Sequence, residues 1–158
     1  MKFKTLSILL LIGLCVLLSV TSTAEIEEQK PELALELLMQ KNKGKVIYLD
    51  FWASWCIPCR QSFPWMNKLQ EKYNTDGLVV VSINLDAEQH FATKFLNEVP
   101  AEFVIIYDNK GVLAKKFKLK GMPSSYLFDR QGEMISAHSG FNDAKKHVFE
   151  QEIIQALK

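Results

Sequence analysis

Cys56 and Cys59 stand three residues apart in the run LDFWASWCIPCRQSFPWM (49–66), and an aspartate, Asp50, lies six residues before the first of them. Two cysteines at this spacing admit three chemistries: thiol–disulfide exchange, half of a metal site, or a short structural staple. The nucleophile of exchange is a thiolate, whereas an ordinary thiol is mostly protonated near neutral pH. A C-x-x-C pair at the start of a helix corrects this, because unpaired amides and the positive dipole end lower the pKa of the first sulfur. The second sulfur sits one turn further in, within reach of a mixed disulfide on the first. The spacing therefore casts Cys56 as an exposed attacker and Cys59 as a buried resolver. Pro58 suits the first helical turn, where no amide hydrogen bond is lost. A closed zinc site needs four ligands, and His90, His138 and His147 show no ligand spacing to the pair. A staple across so short a loop would restrict the unfolded chain little. Exchange is the favoured chemistry.

Asp50 interrupts VIYLDFW (46–52), an otherwise apolar run that reads as a central strand. A buried, unpaired carboxylate is costly and would hold its proton instead. A carboxyl titrating near neutrality beside Cys59 could take that thiol's proton when a mixed disulfide resolves. The plainer alternative is an aspartate bonded to nearby backbone.

The elements that must position these groups follow from periodicity. PELALELLMQ (31–40) reads as a helix with Leu33, Leu37 and Leu38 on its apolar side. After Cys56, the positions Cys59, Phe63, Met66, Leu69 and Tyr73 recur at three or four residues and predict a helix, kinked at Pro64. Trp65 falls off that stripe, leaving a partner surface or a second packing contact open, while Trp52 is expected in the core beneath the site. LVVVSINLD (78–86) and FVIIYD (103–108) read as two more core strands, with a helix over 87–99 between them. SYLFD and EMISAHS form a hairpin, and a last helix begins near Asn142 with Phe149, Ile153 and Ala156 on one face. Arg60 is placed either to make the pair more electropositive or simply in solvent. His138, Lys145, Lys146 and His147 are expected at the surface. Strands alternating with helices make one α/β sandwich with a mixed sheet.

The chain has 158 residues, 48% of them hydrophobic and 23% charged, which suits one globular domain. Lys2 and Lys4 precede an uncharged stretch, Thr5 to Ala24, which reads as a secretory signal cut after Ala24, or else as an N-terminal anchor. Leu14 is too bulky to precede a lipid-modified Cys15. Residues 25–158 are then the folded domain, with Cys56 and Cys59 its two cysteines. Nineteen basic residues nearly balance eighteen acidic ones, so there is no electrostatic case for nucleic acid, and no basic stripe is expected.

DFWASWCIPCR strongly resembles the active site of thioredoxin-fold proteins, and GMPSSYLFDRQGEMI (121–135) resembles their cis-proline loop. The added helix and strand between the motifs (87–108) resemble the insertion of exported TlpA/ResA-like thiol-disulfide oxidoreductases. The resemblance covers residues 31–158. It implies a thioredoxin-like three-layer α/β/α sandwich, with Cys56 and Cys59 as the redox pair, Trp55 flanking it and Pro58 tuning its potential. Pro123 matches the cis-proline, where the backbone of Met122 would pair with an extended substrate segment. Met122 is an unusual choice there and bears on substrate fit. Thioredoxins also carry an aspartate at the position of Asp50. Exported relatives often have asparagine there and a glutamate three residues after the second cysteine, where this chain has Ser62. The lysine that thioredoxins place on the neighbouring strand is matched by Ser82.

The expected function is a periplasmic protein-disulfide reductase needing no cofactor beyond the Cys56–Cys59 dithiol. It would act as a monomer on disulfide-containing exported proteins and be re-reduced by a membrane electron donor of the DsbD/CcdA type. The alternatives are a disulfide oxidase or isomerase or, in another class, a copper-binding or chaperone module.

Overall fold

The computed structural model describes residues 30–158, so the expected signal or anchor lies outside the described residues. In chain order the elements are α1 (Pro31–Lys41), β1 (Val46–Trp52), α2 (Ile57–Tyr73), β2 (Leu78–Asn84), α3 (Gln89–Glu98), β3 (Val104–Tyr107), α4 (Val112–Lys116), β4 (Ser124–Phe128), β5 (Met134–Ser139) and α5 (Asp143–Leu157). The five strands form one sheet in the order β3-β2-β1-β4-β5. β1, β2 and β3 run parallel, and β4 is antiparallel to both β1 and β5.

Side chains alternate across a strand, so β1 feeds two cores. Val46, Tyr48 and Trp52 point into a layer built from α2, α3 and α5, with Phe63, Met66, Leu69, Phe95, Phe149 and Ile153. Ile47, Leu49 and Phe51 point the other way, against Leu35 of α1 and Leu113 of α4. The result is the expected three-layer sandwich with a mixed sheet, and the helix and strand between the two motifs are α3 and β3.

Three local expectations are revised. On α1 the buried side carries Leu35, with Ala34, Leu38 and Met39 packed beside it, while Leu33 and Leu37 are about half exposed. The helix is apolar over a wider arc than it buries, so spacing alone left its inward side ambiguous. Among the described residues β3 is an edge strand of the sheet, and its Val104 is exposed. His138 is half-buried, its ring stacked on Phe149 at 4.1 Å and its Nε2 2.7 Å from Glu152 of α5.

Far from the cysteines, Arg130 gathers two loops and the end of α5. Its guanidinium donates to the carbonyls of Gly44, Asp76 and Leu157 at 2.8–3.1 Å. Gly77 is required beside it: its φ is +101°, and a Cβ there would come within 2.9 Å of the guanidinium.

Candidate active site

Cys56 is the N-cap of α2, and Pro58 lies in the helix's first turn. Cys56 and Cys59 form a disulfide with Cα atoms 5.3 Å apart. Cys59 is fully buried, as expected. Cys56 is less open than expected, at 4% exposure. Closed as a disulfide, it packs into the aromatic core that also receives Cys59. Its sequence neighbours supply the open surface: Trp55 and Ile57 are 70% and 74% exposed. Trp52 lies beneath as expected, its ring 4.7 Å from Phe63 and 4.6 Å from Phe95.

The loop carrying Cys56 is tied down by a residue that sequence reasoning did not single out. The buried Asp86 carboxylate, just past β2, accepts from the Ser54 amide at 3.0 and 3.2 Å and from the Ser54 hydroxyl at 2.8 Å. Asn84 in turn donates to Asp86 at 2.8 Å and accepts from its amide at 3.1 Å. The only signal was an acid placed just after a buried strand that ends in Asn.

The second motif completes the front of the site. Met122–Pro123 is a cis peptide, and the Pro123 carbonyl accepts from Gly140 N at 2.7 Å. Pro123 is buried, and Met122 is half-buried against the same core as the cysteines. Ser62 is buried and donates back to the Cys59 carbonyl at 3.0 Å, a local bond open to a hydroxyl in a helix.

Asp50 is 2% exposed, and its Oδ2 has no hydrogen-bond partner. Burial raises its pKa well above the ordinary carboxyl value. Strand alternation places it on the sheet face covered by α2, between Tyr48 and Trp52. Across the sheet it pairs with Ser82 on one side and Ser125 on the other, and Ser125 pairs with His138. A polar row therefore crosses four strands beneath α2 and α5. The Ser82 hydroxyl is buried without a partner, so the matching position offers no charge to Asp50. Tyr48 is also raised, by burial first and then by Asp50. At the end of the row Glu152 accepts from His138 and Ser136; burial works to raise its pKa, but these bonds bring it below the ordinary value. Sequence reasoning missed Tyr48, which strand alternation puts on the face of Asp50, and Ser125 and Glu152, which only strand register and helix docking bring into the row.

Two open expectations resolve. Trp65 is a packing residue: its ring meets Tyr48 at 5.7 Å, Phe141 at 5.2 Å and Phe149 at 6.3 Å, because α5 covers a second flank of α2. Arg60 is neither free nor aimed at the pair. It binds Glu98 at 2.8 Å and lies over the Phe95 ring at 4.8 Å.

Among the described residues no helix is long and apolar enough to cross a membrane. A crystal structure of a Chlorobium tepidum protein assigned as a thiol:disulfide interchange protein DsbE aligns with a TM-score of 0.74 and 52% identity, covering 76% of this chain and 85% of that one. The thioredoxin-like protein YneN of Bacillus subtilis is 34% identical over 122 residues, covering 72% of this chain and 71% of its own length. ResA, a thiol-disulfide oxidoreductase of Bacillus thuringiensis subsp. konkukian, is 31% identical over 98 residues. That match spans 62% of this chain and 57% of ResA, little more than half the relative's length. The Redoxin family profile matches residues 30–153, nearly all of the described chain. With a cysteine pair capping a helix beside a cis-proline loop on a thioredoxin-like sheet, this chain belongs to the Redoxin family.

Proposed function

We propose that this protein is a thiol-disulfide oxidoreductase of exported proteins, working as a reductase in the periplasm. One observation carries the reading: the Cys56–Cys59 disulfide closes at the start of α2, in a domain that also presents the cis Met122–Pro123 loop. The names of the relatives, among them ResA and DsbE, support the same chemistry.

In the reduced protein the Cys56 thiolate attacks one sulfur of a partner disulfide. A new S–S bond forms to Cys56, and the departing partner sulfur leaves as a thiolate and takes up a proton. Cys59 then loses its proton to the Asp50 carboxylate and attacks Cys56. The second partner thiol is released, and two electrons have passed to the partner. Cys56–Cys59 is left oxidised and is re-reduced by a dithiol donor of the DsbD/CcdA type at the membrane. No dissociable cofactor takes part, because the dithiol itself carries both electrons. Trp55, Pro58, Met122 and Pro123 hold the partner segment, with the Met122 backbone adding it as a short strand. Burial of Asp50 suits its role: a carboxyl whose pKa burial raises holds a proton more readily than an ordinary one and can both accept and return it. The domain is read as a monomer with no nucleic-acid partner.

Turnover of an insulin-like disulfide substrate tests the reading, and Cys56→Ser must abolish it. Cys59→Ser should trap Cys56 in mixed disulfides with periplasmic proteins; recovering none would count against the reductase. A reduction potential near about −270 mV fits a reductant, and one near about −120 mV would reverse the direction.

A further inference from the structure

The near-neutral balance of the whole chain conceals a local imbalance, which corrects the expectation of no basic stripe. Between residues 109 and 121 stand Lys110, Lys115, Lys116, Lys118 and Lys120, with no acidic residue among them. Lys115, Lys116, Lys118 and Lys120 are exposed, and none of the four takes part in an ion pair among the described residues. Their neighbours do the anchoring. Leu113 is fully buried, Phe117 packs 5.2 Å from Phe51 and 4.9 Å from Tyr126, and Leu119 joins the same core. With apolar positions turned inward, the lysines between them are turned out.

Lys118 closes α4 with a left-handed cap, a common helix ending. Its φ is +52°, the one positive φ on a non-glycine residue among the described residues. A residue with a β-carbon adopts this conformation at a cost, and such strain persists only where its surroundings enforce it. Here the enforcing contacts are Lys118 N to the Lys115 carbonyl and Leu119 N to the Ala114 carbonyl, both 3.0 Å. The backbone turns at Lys118 and runs directly into Lys120, Gly121 and the cis Met122–Pro123 bond.

We propose that Lys115, Lys116, Lys118 and Lys120 form a docking rim that selects partner proteins whose disulfide is flanked by acidic side chains. The proposal rests on the exchange reading of Cys56–Cys59 and names the class of protein that site would take. A partner segment paired with Met122 runs on at about 3.3 Å per residue. Acidic residues a few positions from its cysteine would then meet Lys120 and Lys118. The exposed Trp55 and Ile57 supply the apolar contact, while unpaired lysines supply long-range attraction that raises the rate of encounter.

The test uses the full chain, reduced, with three synthetic peptides sharing one disulfide and flanked by Glu, Gln or Lys. At about 0.02 M salt the Glu peptide should be reduced with a kcat/KM about tenfold above the Gln peptide, with the Lys peptide slowest. Near 0.5 M salt, roughly, where the screening length is only a few ångströms, the three should converge. Replacing all four lysines by Gln should remove the preference, and replacing them by Arg should keep it. Equal kcat/KM for the three peptides at low salt overturns the proposal, as does a preference that survives the Gln replacements. Loss of binding to vesicles containing phosphatidylglycerol in the Gln variant, with no peptide preference in the parent, also overturns it and assigns the rim to lipid. A cysteine-free Glu peptide, titrated against the protein's tryptophan fluorescence, reads the rim apart from the chemistry. Tighter binding than a Gln peptide supports the rim even if no disulfide is turned over; equal binding overturns it.

Discussion

The two faces of the sheet are built on different terms. The face toward α1 and α4 is mostly apolar, with Leu49, Phe51, Val81, Ile83 and Ile106 closing against Leu35 and Leu113 and buried Ser124 as an exception. The face toward α2, α3 and α5 is equally well filled with aromatic rings, yet Ser82, Asp50, Ser125 and His138 run across it in register. Burying apolar area stabilises a fold roughly in proportion to that area, whereas an unpartnered carboxyl opposes it. The second face carries the larger apolar core and, in the same layer as the cysteines, also accepts the cost of a buried, unpartnered carboxyl. The polar row sits where packing alone would have placed another Leu or Val.

The largest expected effect is chemical and confined to the second face. Cys56→Ser should reduce disulfide turnover to background while leaving the melting temperature of the oxidant-free protein close to that of the reduced parent; residual turnover would move the nucleophile elsewhere. On the first face the effect should be purely energetic. Leu49→Ala is expected to destabilise by about 2–5 kcal/mol in denaturant titration, with turnover retained well below the midpoint. Loss of turnover without loss of stability would break the division between the faces.

Asp50→Asn tests what the polar row costs. The folded pKa is raised by burial, so the native state keeps a proton that the unfolded chain releases. The associated stability is fully present below the ordinary carboxyl range and is lost as pH rises through the raised native value. Within that window the parent should lose about 1.4 kcal/mol per pH unit from this group, and the Asn variant should lack that slope. The Asn variant should therefore gain on the parent as pH rises and converge with it near pH 4, roughly, as read by thermal melts. The same substitution should slow resolution of the mixed disulfide and change its pH profile. If stability responds and resolution does not, Asp50 is a burial cost without a catalytic return. The smallest effect belongs to Arg60→Ala. Its ion pair with Glu98 is about half exposed on both sides, so at most about 1 kcal/mol should be lost in chemical denaturation, with the reduction potential unmoved.

Much of this was legible in the sequence. The cysteine pair, the helix behind it and the cis-proline loop occupy short contiguous runs, where periodicity and residue type report directly on local structure. Asp50 was legible too, because a charge inside an apolar strand has few explanations. What escaped was whatever depends on lateral alignment. Ser125 becomes a neighbour of Asp50 only when β4 pairs with β1 in one register. Trp65 becomes core only when α5 docks over a second flank of α2. Leu33 and Leu37 look like core on α1 because an apolar arc does not say which part of itself will be covered. Asp86 reads as an ordinary loop acid until Ser54 is brought to it from 32 positions away in the chain.

Arg130 ties carbonyls that are 86, 54 and 27 residues from it in sequence, at the pole of the sheet away from the cysteines. It works as a reversible crosslink in a domain whose one disulfide spans only a single helical turn. Closing long loops is where a tether limits chain entropy most, so this guanidinium is placed where a structural disulfide would be most useful. A lysine cannot reproduce the planar fork that reaches three acceptors at once. Oxidation and reduction of Cys56–Cys59 thus leave the domain's long-range connectivity untouched, and the protein can cycle its one covalent bridge without loosening the frame that carries it.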